Sequence, residues 1–230
     1  MAQNERKKKK ASSGDSMRTI LYVVLVVVGI AGAVALGTSG GSSDTTTDTV
    51  VTVPGGVQPA EYQKVSSTGG LLAPLPESGA DTETGKSVAV LKGYDLQGRP
   101  VTIDPAGEGK ATMVVFLAHW CPHCQREVPR LVDWAAAGEV PDNLNVMAVS
   151  TAVDESRGNY PPSEWLADEG WKYPIMADDS VGTAASSFGL SSFPYFVLLS
   201  PDNEVLARRS GEIEIEDLKA LLTSAMGPVN

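Results

Sequence analysis

The sequence predicts an α/β domain, and three observations carry that prediction. Ala111-Thr112-Met113-Val114-Val115-Phe116-Leu117 is an apolar run that reads as a buried strand. Shortly after it, Val128, Leu131, Val132 and Ala135 recur at helical spacing. Further strand-like runs and amphipathic segments then alternate to the end of the chain. Strands alternating with helices imply an α/β layer fold with no internal repeat.

Taken in order, residues 1–18 are short, polar and basic, with Arg6, Lys7, Lys8, Lys9, Lys10 and Arg18. Residues 19–36 are uncharged and apolar. As a helix they span about 27 Å, close to the ~30 Å hydrocarbon core of a bilayer. The preceding lysines should stay cytoplasmic, so the expectation is a single-pass signal anchor with everything beyond it extracytoplasmic. A cleavable signal peptide, ending at Ala33-Val34-Ala35, is the competing reading. Residues 37–86 carry Gly40-Gly41-Ser42-Ser43, Thr45-Thr46-Thr47, Gly55-Gly56 and Pro74-Leu75-Pro76, and read as a flexible linker. The folded domain is expected over residues 87–230.

Within it, Val88 to Ile103 reads as two short strands around a turn at Gln97-Gly98. Pro122 to Ala137 reads as the first long helix, kinked at Pro129. Asn145 to Ser150 is a second apolar strand. A short helix starts at Pro161-Pro162 with Ser163 as a candidate cap. A strand follows at Tyr173 to Met176, then a helix from Asp179 to Phe188 closed by Gly189. Strands at Tyr195 to Leu199 and Glu204 to Arg208 flank a turn at Pro201-Asp202-Asn203, and an amphipathic helix runs from Glu214 to Met226.

Charge excludes one class of partner. The chain has 230 residues, 18 basic and 28 acidic, for a net −10. Six of the basic and two of the acidic residues fall in residues 1–36, which leaves a net −14 beyond. So acidic a domain is a poor binder of nucleic acid or anionic lipid.

Chemistry concentrates at His119-Trp120-Cys121-Pro122-His123-Cys124, which holds every cysteine and every histidine of the chain. Two thiols separated by two residues can close a small disulfide ring. At a helix start, the dipole and free N–H groups favour a thiolate. Cys121, preceding the helix, should be the attacking thiol and Cys124, one turn in, the buried resolving thiol. His123 can stabilise the Cys121 thiolate, or stand solvated without consequence. His119 reads as a rim residue, and Trp120 as packing and a substrate platform. A zinc half-site would need two further ligands, and a structural disulfide would close too short a loop to stabilise much. Neither a metal nor a cofactor is called for.

Gly109-Lys110, Phe116, Trp120-Cys121-Pro122-His123-Cys124, Glu127 and Pro129 resemble the thioredoxin superfamily, and specifically its TlpA-like, membrane-anchored thiol-disulfide oxidoreductases. Asp95 to Ile103 is similar to that family's N-terminal hairpin. Phe188-Gly189-Leu190 and Phe193-Pro194-Tyr195-Phe196-Val197 are similar to its segment with a cis-proline opposite the cysteines. The resemblance covers about residues 87–226. It implies a thioredoxin-like fold, a central mixed sheet flanked by helices. It implies that Trp120, Phe193 and Pro194 bind substrate, and that Glu127 relays the Cys124 proton, with a solvated surface glutamate the competing reading. The sequence departs from the family at Leu117, His119 and Phe193, and has Val115 where cytoplasmic thioredoxins bury an aspartate. The Cys-Pro-His-Cys tetrad itself is similar to the oxidising DsbA-type enzymes.

The expected function is thus thiol-disulfide exchange with exported proteins, as an oxidant, since helix dipole and His123 act with one sign. The partners implied are exported protein thiols or disulfides and a membrane redox partner that resets the pair, with the protein itself a monomer. A TlpA-like reductant and a non-catalytic tethered binding module remain as alternatives. A peroxidase of the peroxiredoxin type is disfavoured, because Ala118 stands where a Thr-x-x-Cys would place threonine.

Overall fold

The computed structural model describes residues 54–227. The expected basic segment 1–18, the anchor 19–36 and linker residues 37–53 lie outside the described residues. Among the described residues no helix is long and apolar enough to cross a membrane.

The elements in chain order are β1 (Ser66–Thr68), β2 (Val90–Tyr94), β3 (Pro100–Ile103), β4 (Ala111–Leu117), α1 (Pro122–Ala136), β5 (Leu144–Ser150), α2 (Pro162–Asp168), β6 (Ile175–Ala177), α3 (Thr183–Ser187), β7 (Tyr195–Leu199), β8 (Val205–Ser210) and α4 (Ile215–Met226). They form one mixed sheet in the order β1-β2-β6-β5-β4-β7-β8, with β3 paired to β2. β4 lies between β5, parallel, and β7, antiparallel. The expected α/β fold with a central mixed sheet is the one observed.

Alternation along the central strands explains why every residue of β4 is buried. Met113, Val115 and Leu117 enter one apolar cluster with Val128, Leu131 and Trp134 of α1 and Leu218 and Leu222 of α4. Val114 and Phe116 enter a second cluster on the opposite face, with Ala184, Phe188 and Tyr195. A strand covered on both faces has no polar side to show, so it reads as a continuous apolar run.

The boundary of the domain differs from expectation. Residues 54–86 are not a linker but a strap laid over the second face. β1 pairs antiparallel with β2. Val65 and Leu72 are buried in the second cluster. Main-chain bonds run from Val57 to Gly98, Leu72 to Ser187, Leu75 to Gly189 and Gly85 to Val205. Asp81 pairs with the buried Arg208, whose guanidinium also donates to the Ala73 carbonyl. The physical reason is coverage: α3 has only five residues on that face, and the strap supplies the missing apolar cover. Burying a Val or Leu side chain contributes about 1.5–3 kcal/mol, enough to hold a Gly- and Pro-rich segment in place. Two turn glycines serve this approach. A Cβ at Gly98 would lie 1.9 Å from the Val57 carbonyl oxygen, and one at Gly189 2.3 Å from that of Ala73.

Smaller differences have local causes. Pro161, not Ser163, occupies the N-cap of α2, and the Ser163 hydroxyl donates to Glu61 of the strap. α3 starts at Thr183 because Asp179 and the left-handed Gly182 form a turn before it. α1 continues through Pro129 to Ala136.

Candidate active site

β4 ends at Leu117, and the Cys121 N–H donates to the Ala118 carbonyl, closing a tight turn into α1. Cys121 is the N-cap residue, extended at φ −79° and ψ 119°, and Pro122 sits at the first helical position, where its missing N–H costs nothing. No side chain caps this helix, and its first turn holds no acidic residue. The free N–H groups and the dipole of a 15-residue helix are therefore left to whatever anion forms at Cys121.

The two thiols are free and unequally placed. Cys121 keeps 6% of its surface exposed and Cys124 none. Burial pushes the Cys124 thiol up, with the neighbouring Cys121 and Glu127 charges adding to the effect. This is the asymmetry expected of an attacking and a resolving sulfur.

Glu127, one turn beyond Cys124, is fully buried. Its Oε2 accepts the Ile213 N–H at 3.1 Å and Arg130 Nη1 at 2.8 Å. Its Oε1 is buried without a hydrogen-bond partner among the described residues. Burial raises the carboxyl to about 7, against the Ile213 and Arg130 contacts that favour its charge. The solvated-glutamate reading is thereby set aside: a group that gains and loses a proton near neutrality lies beside the buried thiol.

His123 points outward. Its Nδ1 lies 2.5 Å from Glu212 Oε1, in the loop between β8 and α4. Arg126 donates to both oxygens of the same carboxylate. Arg126 first and His123 second lower Glu212 to about 2. The histidine is therefore tied to a carboxylate rather than to a thiol. Nothing in the local sequence marks Glu212, which lies 89 residues away.

Trp120 donates its indole N–H to the Ala152 carbonyl at 2.6 Å and meets Phe193 edge-on at 5.9 Å between ring centroids. That contact brings the Phe193-Pro194 segment to the motif. The Phe193–Pro194 bond is cis, as the resemblance implied, and the Pro194 carbonyl accepts the Gly211 N–H. His119 is not at the rim but buried, with 1% of its surface exposed. Its Nε2 accepts the Asp154 N–H, which places its proton on Nδ1, donated to the Gly158 carbonyl at 2.9 Å. Grooves open elsewhere on the domain. One of about 510 Å³ is lined by Val101, Thr102, Asn145 and Tyr173.

A model described as the AhpC/TSA family matches residues 84–208. Over 151 residues the chain is 24% identical to sporulation thiol-disulfide oxidoreductase A of Bacillus subtilis, covering 65% of this chain and 88% of that one. It is 29% identical over 130 residues to methylamine utilization protein MauD of Paracoccus denitrificans, covering 56% and 58%. In fold it is similar to a DsbF homologue from Corynebacterium diphtheriae, with a TM-score of 0.54 at 20% identity over 68% of this chain and 99% of that one. A thiol:disulfide interchange protein from Chlorobium tepidum aligns at 0.50 and 19% identity, over 64% and 100%.

Proposed function

The chain belongs to the AhpC/TSA family of the thioredoxin superfamily, and on that premise we propose that it exchanges disulfides with exported proteins as a membrane-anchored, extracytoplasmic oxidant. The observation that carries the chemistry is the pairing of an N-cap Cys121 with a buried Cys124 beside a buried Glu127 that titrates near 7.

In the oxidising direction, a substrate thiolate attacks Cys121 Sγ. The Cys121–Cys124 bond breaks, and its electron pair stays on Cys124. Protonated Glu127 gives its proton to that thiolate, which burial would otherwise penalise. A second substrate thiolate then attacks the substrate sulfur of the mixed disulfide. The substrate disulfide forms and Cys121 leaves as a thiolate, stabilised by the uncapped helix N-terminus. Two electrons pass from substrate to enzyme, and a membrane redox partner removes them to restore the disulfide. Trp120, Phe193 and Pro194 form the platform on which an extended substrate lies. Arg126 supplies positive charge beside Cys121.

The reductant direction is favoured by one specific observation, the Glu212 carboxylate that holds the His123 ring and offsets the Arg126 charge. The reduction potential decides between them. An oxidant should lie near or above −180 mV; a value near −270 mV would overturn that direction and leave a reductant. Location rests on residues 19–36 behind the lysine cluster. Protease added to intact cells should release a fragment containing Cys121, and its protection until lysis would refute the orientation.

A further inference from the structure

The loop at residues 152–160 is tied to the cysteine motif far more tightly than a surface loop requires. His119 bonds it at both ring nitrogens, through the Asp154 N–H and the Gly158 carbonyl. The Trp120 indole N–H holds Ala152, and Tyr160 packs edge-on to the His119 ring at 6.0 Å. The result of this stapling is the position of Arg157. Its guanidinium carbon lies 3.9 Å from the centroid of the Trp120 ring, over the residue adjacent to Cys121.

Arg157 is exposed, and no carboxylate lies within ion-pair distance of it among the described residues. Arg99, Arg126, Arg130 and Arg208 each engage an Asp or Glu. Nearby Asp154 accepts the Ser156 N–H and hydroxyl on Oδ1, and the Ser156 bonds first and the Arg157 charge after them hold it below its ordinary value, with no salt bridge between Asp154 and Arg157. A stacked guanidinium keeps its N–H edge free, and its stem is already ordered, so binding a carboxylate there costs little further entropy. Arg157 thus sets a guanidinium without a salt-bridge partner over Trp120, in a loop that also carries Asp154 and Glu155.

We infer that Arg157, held on Trp120 by the loop that His119 staples, is a specificity-determining residue that selects protein substrates with an Asp or Glu within a few residues of the reacting cysteine. The assignment rests on the reading of Cys121 as the exchanging thiol. His119 acts as a positioning residue, through the loop. The substrate's carboxylate meets the free edge of the guanidinium while its cysteine reaches Cys121. Lys at the same substrate place meets a like charge.

The test uses the reduced protein and two synthetic peptides that differ only in Asp or Lys two residues from a cysteine activated as the 2-pyridyl disulfide. Cys121 thiolate attacks the peptide sulfur, pyridinethione leaves, and its absorbance gives the rate. A neutral hydroxyethyl 2-pyridyl disulfide serves as reference for each protein. Wild type should favour the Asp peptide about fivefold at low salt, the scale of one exposed ion pair. The preference should shrink toward unity in 0.5 M salt. Arg157→Ala should bring the ratio to about one, Arg157→Glu should invert it, and Arg157→Lys should keep its direction. Equal rates for the two peptides in wild type, or a ratio unmoved by Arg157→Ala, would overturn the assignment while leaving exchange intact. No pyridinethione released from the neutral probe would instead overturn exchange at Cys121 itself.

Discussion

Replacing Glu127 by glutamine should make the protein more stable at alkaline pH and slower at exchange. Glutamine is nearly isosteric. Its carbonyl oxygen can keep the Ile213 N–H and Arg130 contacts at the Oε2 position, and its amide replaces an Oε1 that has no partner. In the folded protein the carboxyl is raised from 4.5 to about 7. Between those values the native state holds a proton that the unfolded state has released, so wild-type stability falls as pH rises. A gap of roughly 2.5 units corresponds to about 3 kcal/mol of stability, fully present below pH 4.5 and lost as pH rises through about 7. Glu127→Gln should therefore match wild type near pH 4.5 and exceed it by up to about 3 kcal/mol at pH 8.5 in urea unfolding. Over the same range, loss of a positioned proton carrier should slow the step that forms or releases Cys124 by roughly 10²-fold and remove a pH–rate inflection near 7. A stability difference that is flat from pH 4.5 to 8.5, or a rate profile that keeps its inflection, would refute the reasoning. Gain of stability with loss of rate separates a functional burial from a structural one.

Cys124→Ser should trap substrate on Cys121 as a mixed disulfide visible on non-reducing gels, whereas Cys121→Ser should trap none. Asp81→Asn leaves the Arg208 charge buried, and should cost about 3 kcal/mol in urea unfolding. Arg208 first of all holds Asp81 below its ordinary value, so this stabilisation should be present at neutral pH and lost on acidification through and below 3.8. A chain beginning at Ser87 should be less stable than one beginning at Pro54 by several kcal/mol, since it loses β1, Val65 and Leu72; equal midpoints would return the strap to a linker. Glu212→Gln frees Arg126 beside Cys121 and should raise the reduction potential by about 30 mV, measured against glutathione; an unchanged or lower value would remove Glu212 from the redox balance.

Periodicity and turn chemistry were enough for the strands and helices from β2 onward and for the placement of both cysteines, and the family resemblance for the mixed sheet. A strand buried on both faces is an unbroken apolar run, as at Met113 to Leu117, and a helix covering it repeats apolar residues every three or four, as at Val128, Leu131, Val132 and Ala135. The unequal placement of Cys121 and Cys124 was also legible, because one precedes a helix and the other lies a turn inside it. Tertiary structure alone decided what depends on partners distant in the chain. A Gly- and Pro-rich segment carries no periodic signal, yet residues 54–86 are held by main-chain bonds to β2, α3 and β8 and by one buried ion pair. Glu127 looks like any helical glutamate until Ile213 and α4 close over it and burial moves its titration to about 7. His119 and His123 are four residues apart, but one is sealed between Asp154 and Gly158 and the other turned toward Glu212. Hydrogen bonds and desolvation act between groups adjacent in space. A single sequence records such neighbours only where the chain itself makes them adjacent.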